Sequence, residues 1–286
     1  ILPESDILSE AVCYEVMLAK MMRTIPESRR LKVVTSQNQY ARTVLHSAAC
    51  SGNHDSIRVV LSLLPESQRF MAVNQQCLNR RTVLQYAARS GNLESIKTLI
   101  AFYPESEHLR IVRMQDMDGY TMMHRAVLSG KIEAVAFILG LLPSESHRLQ
   151  VLEMQEENGK TVLHCAIVSG NAAEMIQYLL ALYPESQRLQ VVSVKDRDER
   201  TAIHLAAHLG KFDSIKAIME LLPESQRPLA AAIPGRSGRT VKHLAQYTGA
   251  ITNEGGTNNK RSHGDTQHDD VDIEKQEAKR QRSHVD

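Results

Sequence analysis

Apolar and polar residues alternate along the chain in blocks that return at a nearly fixed spacing. A short, alanine-rich apolar block is followed by a more aliphatic one, and polar turns separate successive pairs. In the aliphatic block Ile96, Leu99 and Ile100 recur at intervals of three and one, which places them on one face of an α-helix. The pattern therefore predicts pairs of helices, one alanine-rich and one aliphatic, joined by polar turns.

The alanine-rich block carries a motif, Thr-x-x-His followed by Gly, in six related copies. Thr and Gly lie nine residues apart, and successive threonines are 39 or 40 residues apart. A fixed period of this length is typical of a stacked repeat array. We expect each Gly to end its helix with a left-handed φ, where a Cβ would cost about 1 kcal/mol. The structural motif residues are Thr43, His46, Gly52, Thr82, Gly91, Thr121, His124, Gly130, Thr161, His164, Gly170, Thr201, His204 and Gly210.

A third segment containing Pro-Glu-Ser closes each repeat. Pro at the first position and Glu in the first turn are helix-start signals. The segments therefore predict a short third helix in each repeat, with Leu31, Leu109 and Leu189 packing inward. Two insertions, Ser144 and one residue near 172–173, account for the two 40-residue steps, and the second should lengthen an aliphatic helix. The five segments are 26–34, 65–73, 104–112, 143–152 and 184–192.

The two ends of the chain depart from this pattern. We expect an array over residues 1–249, with an N-terminal cap at 1–34 and about six repeats, the last of them partial. Leu2-Pro3-Glu4-Ser5 resembles the closing segment, so the start is either a degenerate cap or a boundary inside a longer protein, and the missing initial Met favours the second. Residues 250–286 contain too few apolar side chains to offset the entropy of ordering, which predicts a disordered polar tail.

Composition narrows the classes of function. The formal net charge of the 286-residue chain is +1, which gives no general attraction for nucleic acids or membranes. No apolar run approaches the roughly 20 residues of a membrane span, and no secretory signal is visible. The four cysteines lack disulfide-framework spacing and are typical of a reducing compartment. We expect a monomeric cytoplasmic protein without membrane insertion.

Thr-x-Leu-His-x-Ala-x-x-Gly within a turn–helix–helix unit resembles the ankyrin repeat, whose signature is Thr-Pro-Leu-His-x-Ala. The resemblance covers about residues 6–249 and implies an all-α ankyrin-repeat solenoid, here with an extra Pro-Glu-Ser helix in each repeat. The chain departs from the signature where Val, Met or Ala replaces Pro, where Gln85 replaces His and where Lys242 replaces Leu. The repeat is also longer than the usual length of about 33 residues. In this respect it resembles the ankyrin effectors of intracellular bacterial pathogens.

The column of histidines invites a metal-site interpretation, but its spacing argues against one. One His occurs per repeat, and stacked repeats lie about 10 Å apart, too far to share a zinc ion at about 2.1 Å. The resemblance implies instead that His and Thr hydrogen-bond the turn and the adjoining repeat, as Gln85 also can. Cys50 and Cys165 have no activating His or acid at a fixed spacing. Since phosphate-loop and hydrolase motifs are also missing, we expect no catalytic residue, metal ligand or cofactor.

The ankyrin resemblance implies a concave binding face, formed by the turn tips and the exposed side of the first helix. The residue before Thr is basic in five of six repeats. Two interpretations stay open: these cations bind a partner, or they are solvated or paired with nearby acids. Interleaved acids disfavour duplex nucleic acid, whereas the apolar Leu128, Val168 and Leu209 suit the centre of a protein interface. The predicted partner-binding residues are Arg42, Arg81, Arg89, Tyr120, Leu128, Lys160, Val168, Arg200, His208, Leu209 and Arg239.

These observations predict a protein–protein interaction scaffold or adaptor with no enzymatic activity of its own. The effector resemblance implies action in a host cytosol, and we expect a protein partner without direct nucleic-acid binding. Two alternatives stay open. In the first, the chain is a nuclear transcription or chromatin regulator, and its tail holds the import signal, Lys279, Arg280 and Arg282; otherwise these residues are simply a solvated part of the tail. A catalytic domain upstream of Ile1 would make this chain the targeting half of a longer enzyme.

Overall fold

The computed structural model describes residues 24–241, in which sixteen α-helices alternate with short turns and two isolated antiparallel bridges. Alanine-rich inner helices are α2 (Val44–Cys50), α5 (Val83–Ser90), α8 (Met122–Leu128), α11 (Val162–Val168) and α14 (Ala202–His208). Aliphatic outer helices are α3 (His54–Ser62), α6 (Leu93–Ile100), α9 (Ile132–Gly140), α12 (Ala172–Ala181) and α15 (Phe212–Leu221). Third helices are α1 (Glu27–Val34), α4 (Glu66–Val73), α7 (Glu105–Arg113), α10 (Glu145–Leu152), α13 (Glu185–Val192) and α16 (Arg227–Ala232).

The core lies between the layer of inner helices and the layer of outer helices. Each inner helix packs against the inner helix of the next repeat, and among the outer helices α3 packs against α6, α6 against α9 and α12 against α15. Fully buried alanines such as Ala48, Ala87 and Ala206 allow the inner helices to approach closely. Ile57 and Leu99 of the outer helices are also fully buried, and each should stabilise the fold by about 1.5–3 kcal/mol.

The Thr-x-x-His motif begins every inner helix with a capping box. In α8, Thr121 Oγ1 accepts from the His124 backbone N–H at 3.3 Å, and His124 Nδ1 accepts from the Thr121 N–H at 3.3 Å. Gln85 completes the same box in α5, because its Oε1 accepts from the Thr82 N–H at 2.9 Å. These reciprocal bonds satisfy N–H groups that a helix start otherwise leaves unpaired.

The predicted left-handed glycine is found in four of the five described copies, at Gly52, Gly91, Gly130 and Gly210. For Gly170 the expectation is wrong: this residue has no positive φ. The preceding Ser169 is extended (φ −70°, ψ 159°) and already turns the chain out of α11, so Gly170 has no need of a left-handed conformation. The repeat also carries the inserted residue, and α12 has ten residues where α9 has nine.

The third helices confirm the Pro-Glu-Ser prediction, and Leu31, Leu109 and Leu189 pack against the core as expected. The basic residue of the segment has a structural role that the sequence did not reveal. Arg188 Nε donates to the carbonyl of Tyr183 at 3.2 Å, just after the outer helix, and Nη1 reaches the carbonyl of Leu221 in the next outer helix at 2.9 Å. Arg30, Arg69 and Arg227 also donate to the carbonyl five residues earlier. The third helix therefore caps the outer helix through its arginine.

Three sequence predictions fall outside the described residues: most of the N-terminal cap at 1–34, the disordered tail at 250–286, and the basic cluster at Lys279, Arg280 and Arg282. Within residues 24–241, no helix has the length and apolar content needed to cross a bilayer.

Two left-handed glycines offer a test of how closely the repeats are stacked. A Cβ on Gly119 (φ 80°) would lie 2.5 Å from the backbone nitrogen of Glu157 in the next repeat, whereas a Cβ on Gly210 (φ 66°) would meet nothing within 4 Å. We expect Gly210→Ala to lower the free energy of unfolding by about 1 kcal/mol, from backbone strain alone. Gly119→Ala should cost about 3 kcal/mol, because the overlap adds to the strain. Urea denaturation followed by circular dichroism measures both, and equal losses would contradict the close approach.

Candidate binding face

Five-residue turns precede the inner helices and stack along one side of the array. They lie at 38–42, 77–81, 116–120, 156–160, 196–200 and 235–239, and in each the first backbone N–H donates to the last carbonyl. Neighbouring turns are joined as well: the Leu78 N–H donates to Tyr40 O at 3.1 Å, and the Met117 N–H donates to Asn79 O at 2.9 Å. We call these turns, together with the exposed residues of the inner helices, the inner face. Its backbone is fixed by hydrogen bonds from turn to turn.

The first side chain of most turns holds the turn in shape. Asp116 Oδ1 accepts from the N–H groups of Asp118 and Tyr120 at 3.1 and 2.9 Å. In the same way, Asp196 Oδ1 accepts from the N–H groups of Asp198 and Arg200 at 2.9 and 2.8 Å. Glu156 Oε1 accepts from the Lys160 N–H at 3.0 Å. Because Asp116, Glu156 and Asp196 are buried, these acids are structural parts of the turns and not exposed tips.

Among the basic residues that precede Thr, Arg81 differs most from the predicted exposed position. Its side chain is buried, its Nε lies 3.1 Å from Asp116 Oδ2, and its Nη2 lies 3.6 Å from Asp118 Oδ2. Arg125 of α8, also buried, pairs with the same Asp116 oxygen. The reason is the stacking, which sets the turn of one repeat against the turn of the next. Arg81 therefore ties two repeats together, and reversing its charge would destabilise the fold.

Aromatic rings complete this cluster. The Arg42 guanidinium lies 5.2 Å from the ring centre of Tyr86, and the Arg81 guanidinium lies 5.3 Å from the same ring. Arg125 lies 4.2 Å from the ring of the half-buried Tyr120. Sequence reasoning missed Tyr86 and Arg125, although both occupy the fourth position after Thr, which faces the turns. Stacking of a cation on an aromatic ring is worth about 0.5–2 kcal/mol.

The other predicted partner-binding residues differ in solvent exposure and in whether their side chains are already paired. Arg200 is half-buried and pairs with Asp196 and Asp198 of its own turn. Arg89 Nη1 donates to the carbonyl of Leu128, at 3.3 Å, and so links α5 to α8. Leu128 is partly buried against the core, and Lys160 is also partly buried. Val168, His208, Leu209 and Arg239 are exposed.

Three exposed apolar side chains at the turn tips were not predicted. Tyr40, Leu78 and Met117 expose 43%, 56% and 60% of their surface, on three successive turns. Their signal in the sequence is an apolar residue inside an otherwise polar turn. Exposed apolar side chains in a cluster are a feature of surfaces that bind other proteins.

The histidines are held in one tautomer by their neighbours. Nδ1 of His46 accepts from the Thr43 N–H at 3.1 Å, so the proton sits on Nε2, which lies 3.3 Å from the carbonyl of Arg81 in the next repeat. Burial lowers the pKa of His46 and of His124 to about 4. Gln85 makes the same bridge by donating to the carbonyl of Tyr120 at 3.1 Å.

Between residues 24 and 241, no group of three or more His, Cys, Asp or Glu side chains is placed to hold a metal ion. Burial raises the pKa of the Cys165 thiol to about 12, which keeps it protonated and unreactive. In this column His46, Gln85 and His164 hydrogen-bond a carbonyl of the next repeat, whereas Nε2 of His124 and of His204 is buried without such a bond among the described residues.

A family model for ankyrin repeats in three copies matches residues 12–108, 59–145 and 107–188, and these matches together cover more than half of the chain. The chain belongs to the ankyrin-repeat family. Ankyrin repeats form protein–protein interaction modules, and the inner face described above is formed by the turns and inner helices of this ankyrin array.

Solved structures support the same fold. The ankyrin-repeat domain of Bcl-3, described as a unique member of the IκB protein family, is 14% identical, with a TM-score of 0.55 over 84% of this chain and 96% of that one. The human ASB11 ankyrin-repeat domain is 16% identical, with a TM-score of 0.58 over 83% of this chain and 90% of that one. No curated protein sequence matches this chain. At such low identity these structures are evidence for the ankyrin fold alone.

Proposed function

We propose that the ankyrin array is a scaffold or adaptor that recognises a partner protein through its inner face. In this proposal the protein works in the cytosol, and in the cytosol of a host cell if it is a secreted effector. The observation that carries the proposal is a row of exposed side chains on turns that are locked to one another by backbone hydrogen bonds. A surface fixed in advance loses little conformational entropy on binding.

Two parts of the inner face combine exposure with apolar character. Leu78 and Met117 stand on the turn tips of the second and third repeats, and Val168 and Leu209 lie at the ends of inner helices in the fourth and fifth. A few residues that become fully desolvated in a complex contribute most of the binding energy. The proposal therefore predicts that the partner contacts at least one of these pairs.

A pull-down with matched variants tests this proposal. The full chain serves as bait in a lysate, and the bound proteins are quantified by mass spectrometry. The variants Leu78→Ser/Met117→Ser and Val168→Ser/Leu209→Ser each remove one pair from the inner face. We expect recovery of a partner to fall by about tenfold or more for at least one of them, since two desolvated apolar contacts exceed about 1.4 kcal/mol.

The control variant is Met71→Ser/Leu229→Ser. Met71 and Leu229 are 56% and 58% exposed, closely similar to Leu78 and Met117, but they lie on the third helices. The control should recover the partner at the parental level. Loss of the partner with the control, together with full recovery by both inner-face variants, would show that binding occurs through the third helices and would overturn the proposal.

A further inference from the structure

The inner face is not uniform along the array, and its first three described repeats form a distinct surface. We call residues 35–51, 74–90 and 114–129 the N-terminal inner face; they comprise the first three turns with α2, α5 and α8. Tyr40, Leu78 and Met117 form its exposed apolar tips. At the turn position of Leu78 and Met117, the fourth and fifth repeats carry Glu157 and Arg197 instead. Apolar tips are thus confined to one half of the described array.

The charge of this surface is strongly positive. Its three segments contain five arginines and two acids, Asp116 and Asp118. Both acids are already engaged, because they pair with the buried Arg81 and Arg125. Arg80 is exposed and Arg42 stacks on tyrosine rings, and within residues 24–241 neither of these two arginines faces an acidic side chain at ion-pair distance. Among the described residues, Arg42 and Arg80 therefore offer positive charge that no acidic side chain matches.

The following two repeats have the opposite balance. Their corresponding segments, 154–169 and 194–209, contain five acids and four Lys or Arg residues. Arg200 pairs with Asp196 and Asp198 of the same turn. An acidic ligand is thus attracted to the first three repeats and not to the fourth and fifth. Complementary charge of this kind directs which part of a surface a partner meets.

We propose that the N-terminal inner face binds an extended acidic segment of the partner protein, with apolar side chains that contact the turn tips. This inference rests on the proposed function. Stacked helices lie about 10 Å apart. A chain in the extended polyproline II conformation advances about 3.1 Å per residue with three residues per turn, so every third side chain lies on the same side and matches successive tips. Acidic residues between them meet Arg42 and Arg80. Nucleic acid fits this surface less well, because its phosphates would lie against Leu78 and Met117.

Binding of short labelled probes tests the inference directly. The acidic–apolar probe is a ten-residue peptide with Leu at positions 2, 5 and 8 and Glu elsewhere. Its binding to the full chain is measured by fluorescence anisotropy. There are three comparison probes: the same peptide with every Glu replaced by Lys, the same peptide with every Leu replaced by Ser, and a single-stranded DNA of twelve nucleotides. We expect the acidic–apolar probe to bind at least about tenfold more tightly than each comparison probe. Equal binding of the Lys peptide, or tighter binding of the DNA, would overturn the inference.

Variants at matched positions locate the probe. Arg80 and Glu199 both hold a left-handed φ, of 56° and 58°, at the same place in their turns. Replacing either by Gly relieves strain, so Arg80→Gly and Glu199→Gly should both keep the parental melting temperature or raise it. Arg80→Gly and Leu78→Ser/Met117→Ser should each weaken binding of the probe by about tenfold, whereas Glu199→Gly should not weaken it. An equal loss with Glu199→Gly would contradict the placement.

The outcomes separate this inference from the proposed function. If the probe does not bind, or binds equally to the parent and to Leu78→Ser/Met117→Ser, the acidic-segment inference is wrong. The proposed function would still hold if the pull-down partner is lost with Val168→Ser/Leu209→Ser, because the partner would then use the other half of the inner face. Probe binding that depends on Arg80 and Leu78 supports the inference.

Discussion

Lowering the pH from 7 to 4 should remove several kcal/mol from the free energy of unfolding of the ankyrin array. Burial lowers the pKa of His46 and His124 from 6.5 to about 4, and it lowers the pKa of His164 and His204 in the same direction. Between pH 6.5 and 4 the unfolded chain therefore binds protons that the folded chain does not. Stability is fully present above pH 6.5 and is lost as the pH falls toward 4, by on the order of 3 kcal/mol for each of His46 and His124.

The geometry explains why protonation is opposed. Nδ1 of His124 accepts a hydrogen bond from the Thr121 N–H at 3.3 Å, and a proton placed on Nδ1 would remove that acceptor. The charged imidazolium would also be buried among apolar helices. The chain already contains a side chain that makes these bonds without titrating, since Gln85 accepts from the Thr82 N–H and donates to the carbonyl of Tyr120.

Gln substitution is therefore the matched experiment. The variant His46→Gln/His124→Gln should lose less stability than the parent between pH 7 and 4, by roughly 3 kcal/mol for each replaced His. Urea denaturation at pH 7, 6, 5 and 4, followed by circular dichroism, measures the difference. His208→Gln, at an exposed position on the inner face, controls for the His→Gln replacement as such. An unchanged pH dependence in the double variant would show that these histidines are not held neutral by burial.

The elements of the fold were readable from the sequence because they depend on short-range patterns. Pro followed by Glu predicts a helix start, and Gly after an apolar run predicts a helix end. Both motifs act within one turn of helix, so neighbouring residues suffice to recognise them. Gly170 shows where this fails: the motif is intact, but Ser169 takes over the change of chain direction in a repeat with one inserted residue. An insertion changes the local path in a way that the motif does not encode.

The inner face was less predictable because contacts between repeats decide it. Arg81 and Arg200 occupy the same turn position, yet Arg81 is buried against Asp116 of the next repeat whereas Arg200 remains half-exposed beside acids of its own turn. Asp116 lies 35 residues beyond Arg81, and only the stacking shows that the two meet. Turn position therefore identifies candidate binding residues, but it does not tell a free cation from a buried one.

The buried cluster around Asp116 yields the second large effect. Asp116→Ala should lower the free energy of unfolding by about 3–5 kcal/mol, because it leaves the buried Arg81 and Arg125 without their shared carboxylate. Asp196→Ala is the matched control. It removes the same two turn hydrogen bonds, but its arginine partner, Arg200, stays 30% exposed and can be solvated. We expect a loss of about 1–3 kcal/mol there, and equal losses would contradict a special role for Asp116.

A rescue variant separates the charge of Asp116 from its part in the turn. Asn38 occupies the same position in the first turn, where its Oδ1 accepts from the N–H groups of Tyr40 and Arg42. Asp116→Asn should therefore keep the turn and lose only the charge. At the position of Arg125 the fifth inner helix carries a buried leucine. Adding Arg125→Leu to Asp116→Asn should recover about half of the lost stability, because one of the two buried cations that lose the Asp116 charge is then gone. Failure to recover any of it in urea denaturation would mean that the loss comes from the turn and not from the ion pairs.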